Sequence, residues 1–375
     1  MNFDFSEDQK VLRSQAQRFL ADKAGLTAAR AILEGSEPYD RKLWGAMAAM
    51  GWQGTAVPEA EGGVGLGYLE LCVMAEEMGR HLCPVPFASS IYLCAELVRR
   101  CGRTDQKQRW LPGLCDGSVV ATLAVQEGIG PLRPERLHTV FNSGTVSGMK
   151  WPVADGTVAD LFIVMARDGE RRADGSAGLY LVKPNEEAVV RETIESVDPS
   201  RDQAQISLDK APAETLVTPE AGWDALRQAY DRAAVLIAFE QLGGAQASLD
   251  MANDYATERF AFGRPIGSFQ AVKHRLADMY VRTEIARSNA YYAAWALSAG
   301  DSSLPIAAAA ARIAASQAFC QNAEDTIQIH GGAGCTWEYD CHLYYRRAKH
   351  LQLILGSPRL WKDRLISELE RRNAA

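Results

Sequence analysis

From Phe5 to about Cys115, apolar residues recur at three- and four-residue intervals in Gln9 to Asp22, Arg41 to Met50, Tyr68 to Met78 and Ser89 to Cys101. That spacing places them on one face of an α-helix. From Val119 to about Val217 the texture changes. Short apolar runs, Val120-Thr-Leu-Ala-Val125, Leu161-Phe-Ile-Val-Met165 and Gly178-Leu-Tyr-Leu-Val182, are separated by Gly, Asp and Pro, which predicts strands and turns of a compact β domain. From about Pro219 the pattern is helical again, with Ala-rich stretches such as Ile306 to Phe319. The expected fold is mainly α with a central β domain, divided into residues 1-118 (helical), 119-217 (β) and 218-375 (helical).

Composition narrows the function classes. A chain of 375 residues has room for two or three domains and a large core. A formal charge of -7 argues against a nucleic-acid partner, and Arg346-Arg347-Ala-Lys349 is expected to be a solvated helix face. The start has no basic stretch followed by an apolar run, so no secretory leader is expected, and no segment is apolar enough to span a bilayer. The eight cysteines form no Cys-x-x-Cys pair. Cys72, Cys83, Cys94 and Cys101 sit in apolar contexts that suit buried free thiols, and a reducing cytoplasm is the expected compartment. The Gly-rich stretch Pro58 to Gly67 lacks the Gly-Lys-Ser/Thr of a Walker loop.

Two segments carry candidate chemistry. In Glu258-Arg-Phe-Ala-Phe-Gly-Arg-Pro-Ile-Gly267, glycines and a proline stop one helix near Arg259 and open a turn. A new helix is expected from about Ser268, with Phe269, Val272, Leu276 and Met279 on its apolar stripe and Arg275 and Asp278 off it. In Gln328-Ile-His-Gly-Gly-Ala-Gly334, the adjacent Gly331 and Gly332 end a helix and let a planar ligand or pyrophosphate approach the backbone. Together and in this order the two segments resemble the flavin motifs of the acyl-CoA dehydrogenase family. Phe3-Asp-Phe-Ser-Glu-Asp-Gln9, Gly51 to Pro58 and Glu76-Glu-Met-Gly-Arg80 are similar to further landmarks of that family. The resemblance covers nearly the whole chain, and implies a barrel-like middle domain and a C-terminal four-helix bundle.

It further implies FAD as cofactor, an acyl-CoA substrate desaturated between the α and β carbons, and electron-transfer flavoprotein as electron acceptor. Arg259 and Gln270 are then expected at the FAD pyrophosphate or adenine, with Phe262 and Phe269 packing nearby. Gln328, Gly331 and Gly332 are expected to complete the site across a subunit interface, in a homo-oligomer or a heterotetramer with a related subunit. In the β domain, Val125-Gln-Glu127 stands where the family has Val-Thr-Glu beside the isoalloxazine, and Gln126 offers an amide donor to a flavin carbonyl. Pro152-Val153-Ala154, after Lys150-Trp151, replaces the usual Trp-x-Thr over the flavin. Val153 is expected to line the site, with Trp151 as a substitute shield. Asp231 matches an acidic residue near the CoA side, where the family's arginine is displaced to Arg232 or lost at Ala234.

Abstraction of an α proton needs a desolvated carboxylate. The family's glutamate falls at Leu355 in this chain, and the position used by a minority of members falls at Ala233. The candidate that remains is Glu240, embedded in Val235-Leu-Ile-Ala-Phe-Glu-Gln-Leu-Gly-Gly244 on the face of Ala233 but about 10 Å further along the helix. A carboxylate among apolar residues either finds a partner or becomes a stronger base. The stretch Cys335 to Arg346 reads as a turn and helix entry with Glu338 and His342 four apart, and a metal site at Cys335, Cys341 and His342 lacks a fourth ligand. Its form resembles a bacterial subgroup acting on steroid side chains and other bulky acyl-CoAs, part of which pairs two different subunits. Three readings follow: an FAD-dependent dehydrogenase, a catalytically silent subunit of a heteromeric dehydrogenase, and a flavin-dependent monooxygenase on the same scaffold.

Overall fold

The computed structural model of the protein describes residues 5–169, 175–185 and 187–374, so Phe3 and Asp4 of the opening landmark lie outside the described residues. Its helices are α1 (Glu7–Lys23), α2 (Gly25–Glu34), α3 (Arg41–Ala49), α4 (Tyr68–Arg80), α5 (Glu96–Cys101), α6 (Thr104–Cys115), α7 (Gly222–Glu258), α8 (Gln270–Ala299), α9 (Leu304–His330), α10 (Cys341–Leu353) and α11 (Pro358–Ala374). The strands β1 (Ala121–Ala124), β2 (Val140–Asn142), β3 (Thr145–Ala154), β4 (Leu161–Asp168), β5 (Ala177–Val182), β6 (Val189–Thr193), β7 (Gln203–Pro212) and β8 (Glu214–Val217) form one sheet, and β9 (Phe260–Ala261) with β10 (Arg264–Pro265) a separate hairpin. The described chain groups into two compact units. One is β-rich, Gly35–Gly67 and Pro84–Ala233; the other is helical, Met1–Glu34, Tyr68–Cys83 and Ala234–Ala375.

In the β-rich unit the sheet runs β6-β7-β3-β2-β4-β5-β8, with β1 parallel beside β4. Strand β4 is central, and Leu161 to Ala166 are all buried, which is why its sequence is a continuous apolar run rather than an alternation. The stretch expected as one helix over Ser89 to Cys101 is a π-helix over Ala88–Ala95 followed by α5. Every residue of the π-helix is buried. Within it the Ser90 hydroxyl donates to the Ala121 carbonyl (3.1 Å) and accepts from the Ala121 N–H (3.0 Å), pinning the segment to β1.

In the helical unit α4 crosses α7 at backbone contact. A Cβ at Gly79 would lie 1.8 Å from the Glu240 carbonyl oxygen, and one at Gly243 would lie 1.8 Å from that of Glu76. Around this crossing the unit buries polar groups. Arg312 donates to Gln241 (2.5 Å), to Ser316 (2.7 Å) and to the Leu351 carbonyl. Arg347 donates to the Leu82 (3.2 Å) and Cys83 (3.4 Å) carbonyls. Phe5, Phe239 and Tyr291 form an aromatic cluster, with Phe239 and Tyr291 stacked at 5.8 Å.

Forcing a methyl group into a packed contact costs about 1–3 kcal/mol, and here the obstacle is backbone. Gly79→Ala is expected to lower unfolding free energy by about 3 kcal/mol. Gly45→Ala in α3, where a Cβ meets nothing within 4 Å, is expected to be neutral or stabilising by up to about 1 kcal/mol. Denaturant melts of the two variants check this, and equal stability would discount the crossing.

Candidate functional site

The two glycine-bearing motifs meet in the helical unit. Helix α7 ends at Glu258, and the chain turns through the β9/β10 hairpin, whose tip residues Phe262 (φ 54°) and Gly263 (φ 77°) both take positive φ. Two such residues give the tight turn that matches strand twist. The Ile266 N–H donates to the Arg259 carbonyl (2.8 Å), closing the loop. Tyr255, one turn before Arg259, stacks on His330 with ring centroids 4.0 Å apart. Its neighbours Leu249, Ala252, Ala256, Met279 and Ile329 form one apolar cluster, against which Ile266, Val272 and Leu276 pack. One small core thus holds the end of α7, the start of α8 and the end of α9 together.

The residues singled out from sequence lie on the surface of this core. Arg259, Gln270 and Gln328 are exposed, and among the described residues no side-chain partner holds them. Gly331 has φ 61°, and a Cβ at Gly331 or Gly332 would meet nothing within 4 Å. Phe262 is 96% exposed and meets Phe269 edge-on at 6.3 Å, and the Arg264 guanidinium lies 4.1 Å over the Phe269 ring. Nearby, Asn253, Thr257, Pro265, Ser268 and Lys273 line a pocket of about 450 Å³.

Gln126 and Val153 belong to the β-rich unit. The Trp151 N–H donates to the Gln126 carbonyl, and the Gly128 N–H to the Trp151 carbonyl, both at 2.9 Å. The Gln126 amide has no partner among the described residues, whereas Val153 is buried. Lys150, fully buried, donates to Glu127 (2.6 Å) and to the Val125 carbonyl (3.3 Å). Burial pulls the Lys150 ammonium down to about 8 against the pull of Glu127. Burial also works against Glu127's charge, but Lys150 and its N–H donors outweigh this and hold the carboxyl below its usual range. Asp231 is buried, and Arg232 pairs with Glu96 at 3.1 Å.

Residues 6–118 match the family model for the acyl-CoA dehydrogenase N-terminal domain and residues 220–363 that for its C-terminal domain. IpdE2, an acyl-CoA dehydrogenase of Mycobacterium tuberculosis, is 32% identical over 97% of this chain and 98% of its own. The Tcur3481-Tcur3483 steroid ACAD superposes with a TM-score of 0.87 at 32% identity, covering 98% of this chain and 99% of that one. The ChsE4-ChsE5 complex of Mycobacterium tuberculosis gives 0.88 at 26% identity, covering 99% of each chain. The chain belongs to the acyl-CoA dehydrogenase family.

Within this acyl-CoA dehydrogenase chain the two positions where the sequence resemblance places the family's base are apolar and buried. Leu355 is 1% exposed, and its carbonyl accepts the Trp361 indole N–H at 3.1 Å. Ala233 is buried. Glu240 is buried beside the Arg347 guanidinium, 3.8 Å away. Arg347 was read from sequence as part of a solvated basic face; it instead points inward, where buried carbonyls and Glu240 meet its guanidinium, and Lys349 on the same helix pairs with Glu324 at 2.8 Å. Helix α10 starts at Cys341, so Glu338 lies in the preceding turn rather than on one helix with His342, which stacks on Trp337 at 4.4 Å. Among the described residues no group of His, Cys, Asp or Glu is placed to hold a metal ion, and no helix is long and apolar enough to cross a membrane. Sequence reading missed Tyr255, His330 and the Lys150–Glu127 pair. The first two carried a signal, since Tyr255 is one helical turn from Arg259 and His330 adjoins Gly331.

A second buried acid lies on α4. Glu77 is 5% exposed, and burial, with Glu76 beside it, raises its carboxyl to about 7. In the unfolded chain it titrates near 4.5. Below 4.5 both states are protonated and no penalty exists; as pH rises from 4.5 to 7 the unfolded state loses its proton first and stability falls, then levels above 7. Glu77→Gln is expected to remove that fall and to be more stable than the parent at pH 8 by up to about 3 kcal/mol. Thermal melts from pH 5 to 8 read the difference, and parallel curves for the two proteins would refute it.

Proposed function

We propose that this chain is a subunit of an FAD-dependent acyl-CoA dehydrogenase that desaturates an acyl-CoA thioester between its α and β carbons and passes the electrons to electron-transfer flavoprotein. The observation that carries this reading is the uncommitted surface where the two motifs meet. Gly331 and Gly332 are bare, and Arg259, Gln270 and Gln328 are exposed above a shared core, without side-chain partners among the described residues. These groups fit a dinucleotide: a guanidinium for pyrophosphate charge, amides for base edges, and glycine backbone for close approach. FAD, when bound, supplies a hydride acceptor.

In this reading Arg259, Gln270 and Gln328 hold the dinucleotide, Phe262 and Phe269 pack beside it, and Gln126 donates to a flavin carbonyl with Val153 lining the ring. Asp231 lies on the CoA side. Glu240 takes the α proton. The similarity to a steroid ACAD supports a bulky acyl group. Assembly is a homo-oligomer or a heterotetramer with a related subunit, in the cytoplasm. One observation favours a second reading, a subunit without its own base: Leu355 and Ala233 are closed by packing and Arg347 takes up Glu240. The likeness to the ChsE4-ChsE5 complex supports that alternative.

Purified alone, the protein is expected to carry the visible spectrum of bound flavin and to bleach anaerobically with a suitable acyl-CoA. Folded but colourless protein that takes up no added FAD, alone or with a related subunit, would sink the flavin reading. Gly332→Ala is expected to melt with the parent but to bind FAD about tenfold or more weakly, a loss of about 1.4 kcal/mol. Glu240→Gln is expected to abolish bleaching in flavin-loaded protein; unchanged turnover would remove Glu240 as the base and leave the second reading.

A further inference from the structure

The buried Lys150–Glu127 pair lies off both flavin motifs, and the proposed chemistry makes no direct use of it. Three backbone segments converge on it. Lys150 donates to the Val125 carbonyl (3.3 Å) and to Glu127 Oε1 (2.6 Å), so it grips the residues on both sides of Gln126. Glu127 in turn accepts the His138 N–H (2.5 Å) and the Thr139 N–H (3.0 Å). The next residue after Lys150 is Trp151, whose N–H holds the Gln126 carbonyl. The Trp151 ring lies against Gly128, where an added Cβ would come within 3.4 Å of it. The Lys150 side chain is wholly buried and that of Glu127 is 7% exposed.

Two charges taken out of water are a poor way to stabilise a sheet. An apolar pair of similar volume often stabilises as well or better, while removing one partner alone is costly because it strands the other charge. What an ion pair of this kind supplies and an apolar pair does not is direction: each hydrogen bond fixes an angle and a register. We infer that Lys150 and Glu127 are positioning residues that fix the backbone carrying the Gln126 amide and the Trp151 indole for recognition of the flavin ring. This rests on the flavin reading above. It assigns the recognition of the ring to a backbone geometry set from behind by one buried bridge.

The test separates positioning from stability. Lys150→Met alone is expected to lower the melting temperature and weaken FAD binding. The double variant Glu127→Leu with Lys150→Met removes both charges and is expected to recover most of the melting temperature. Its FAD affinity is nevertheless expected to stay about tenfold below the parent's, with shifted visible bands in the bound flavin, because no side chain then orients the Val125–Gly128 backbone. A double variant that binds FAD with the parent's affinity and spectrum overturns the proposal, since the bridge would then be structural only. If the double variant fails to fold, Glu127→Gln, which keeps the shape and an acceptor oxygen but not the charge, carries the same reading: a weakened, spectrally shifted complex supports positioning and a parental one overturns it. Parent protein that takes up no FAD at saturation refutes the flavin reading, and the positioning role with it.

Discussion

Backbone contact between α4 and α7 is the constraint from which the helical unit is built. Gly79 and Gly243 let the facing main chain stand where a side chain would otherwise go: a Cβ at either would fall 1.8 Å from the facing carbonyl oxygen. Helices that approach this closely leave no room to slide, so the register of α7 against α4 is set by two residues. Glu240 lies at one of these contacts, and its side chain must leave the crossing within the core. Arg347 is there to meet it, and its guanidinium also takes two carbonyls just past the end of α4. Removing either charge takes away one side of a buried ion pair, which is costly.

The same logic of committed and uncommitted groups separates the cofactor surface from the base positions. Around Gly331 and Gly332 the chain leaves Arg259, Gln270 and Gln328 without side-chain partners among the described residues while spending a stacked pair, Tyr255 on His330, and a small apolar cluster on holding their backbones. Rigid support beneath unpaired donors is what a ligand surface needs, because the ligand then meets groups with no bonds of their own to give up. At Leu355 and Ala233 the opposite holds: apolar side chains are packed away.

Much of this was legible in the sequence because it was local. Helical periodicity, the strand runs between Val120 and Val182, and the breaks at Phe262-Gly263 and Gly331-Gly332 each depend on a few neighbouring residues. What the sequence hid was set by distant contacts. The π-helix at Ala88–Ala95 carries apolar residues that an α-helix would also suit, and only its burial and the Ser90 bonds to β1 distinguish it. Arg347 looked like one cation in a basic run; its inward turn depends on carbonyls about 264 positions earlier. Lys150 and Glu127 are 23 residues apart, and nothing in a strand pattern says that two charges will share its buried face. Helix α4 groups with α7 in the helical unit, whereas α3, of similar pattern, groups with the sheet, and periodicity carries no information about which.

Family membership therefore constrains this chain unevenly. In the proposed reading the motif surfaces take a nucleotide-like ligand whichever acyl group is processed, because a guanidinium and amides suit a phosphate and a base edge. The reacting carbon asks for one strong proton acceptor, and there the chain departs from the family at both familiar positions while burying a carboxylate seven residues beyond one of them. The Glu240 carboxylate lies 3.8 Å from the Arg347 guanidinium, so a substrate that needs it must compete with that cation. For Glu240 to act on a substrate, Arg347 would have to keep to its carbonyl partners and yield the carboxylate as the thioester enters. Those two carbonyls give Arg347 somewhere else to be satisfied. If Glu240 is the base as proposed, the difference between an enzyme and a silent subunit turns on whether Arg347 can release that carboxylate to its other acceptors.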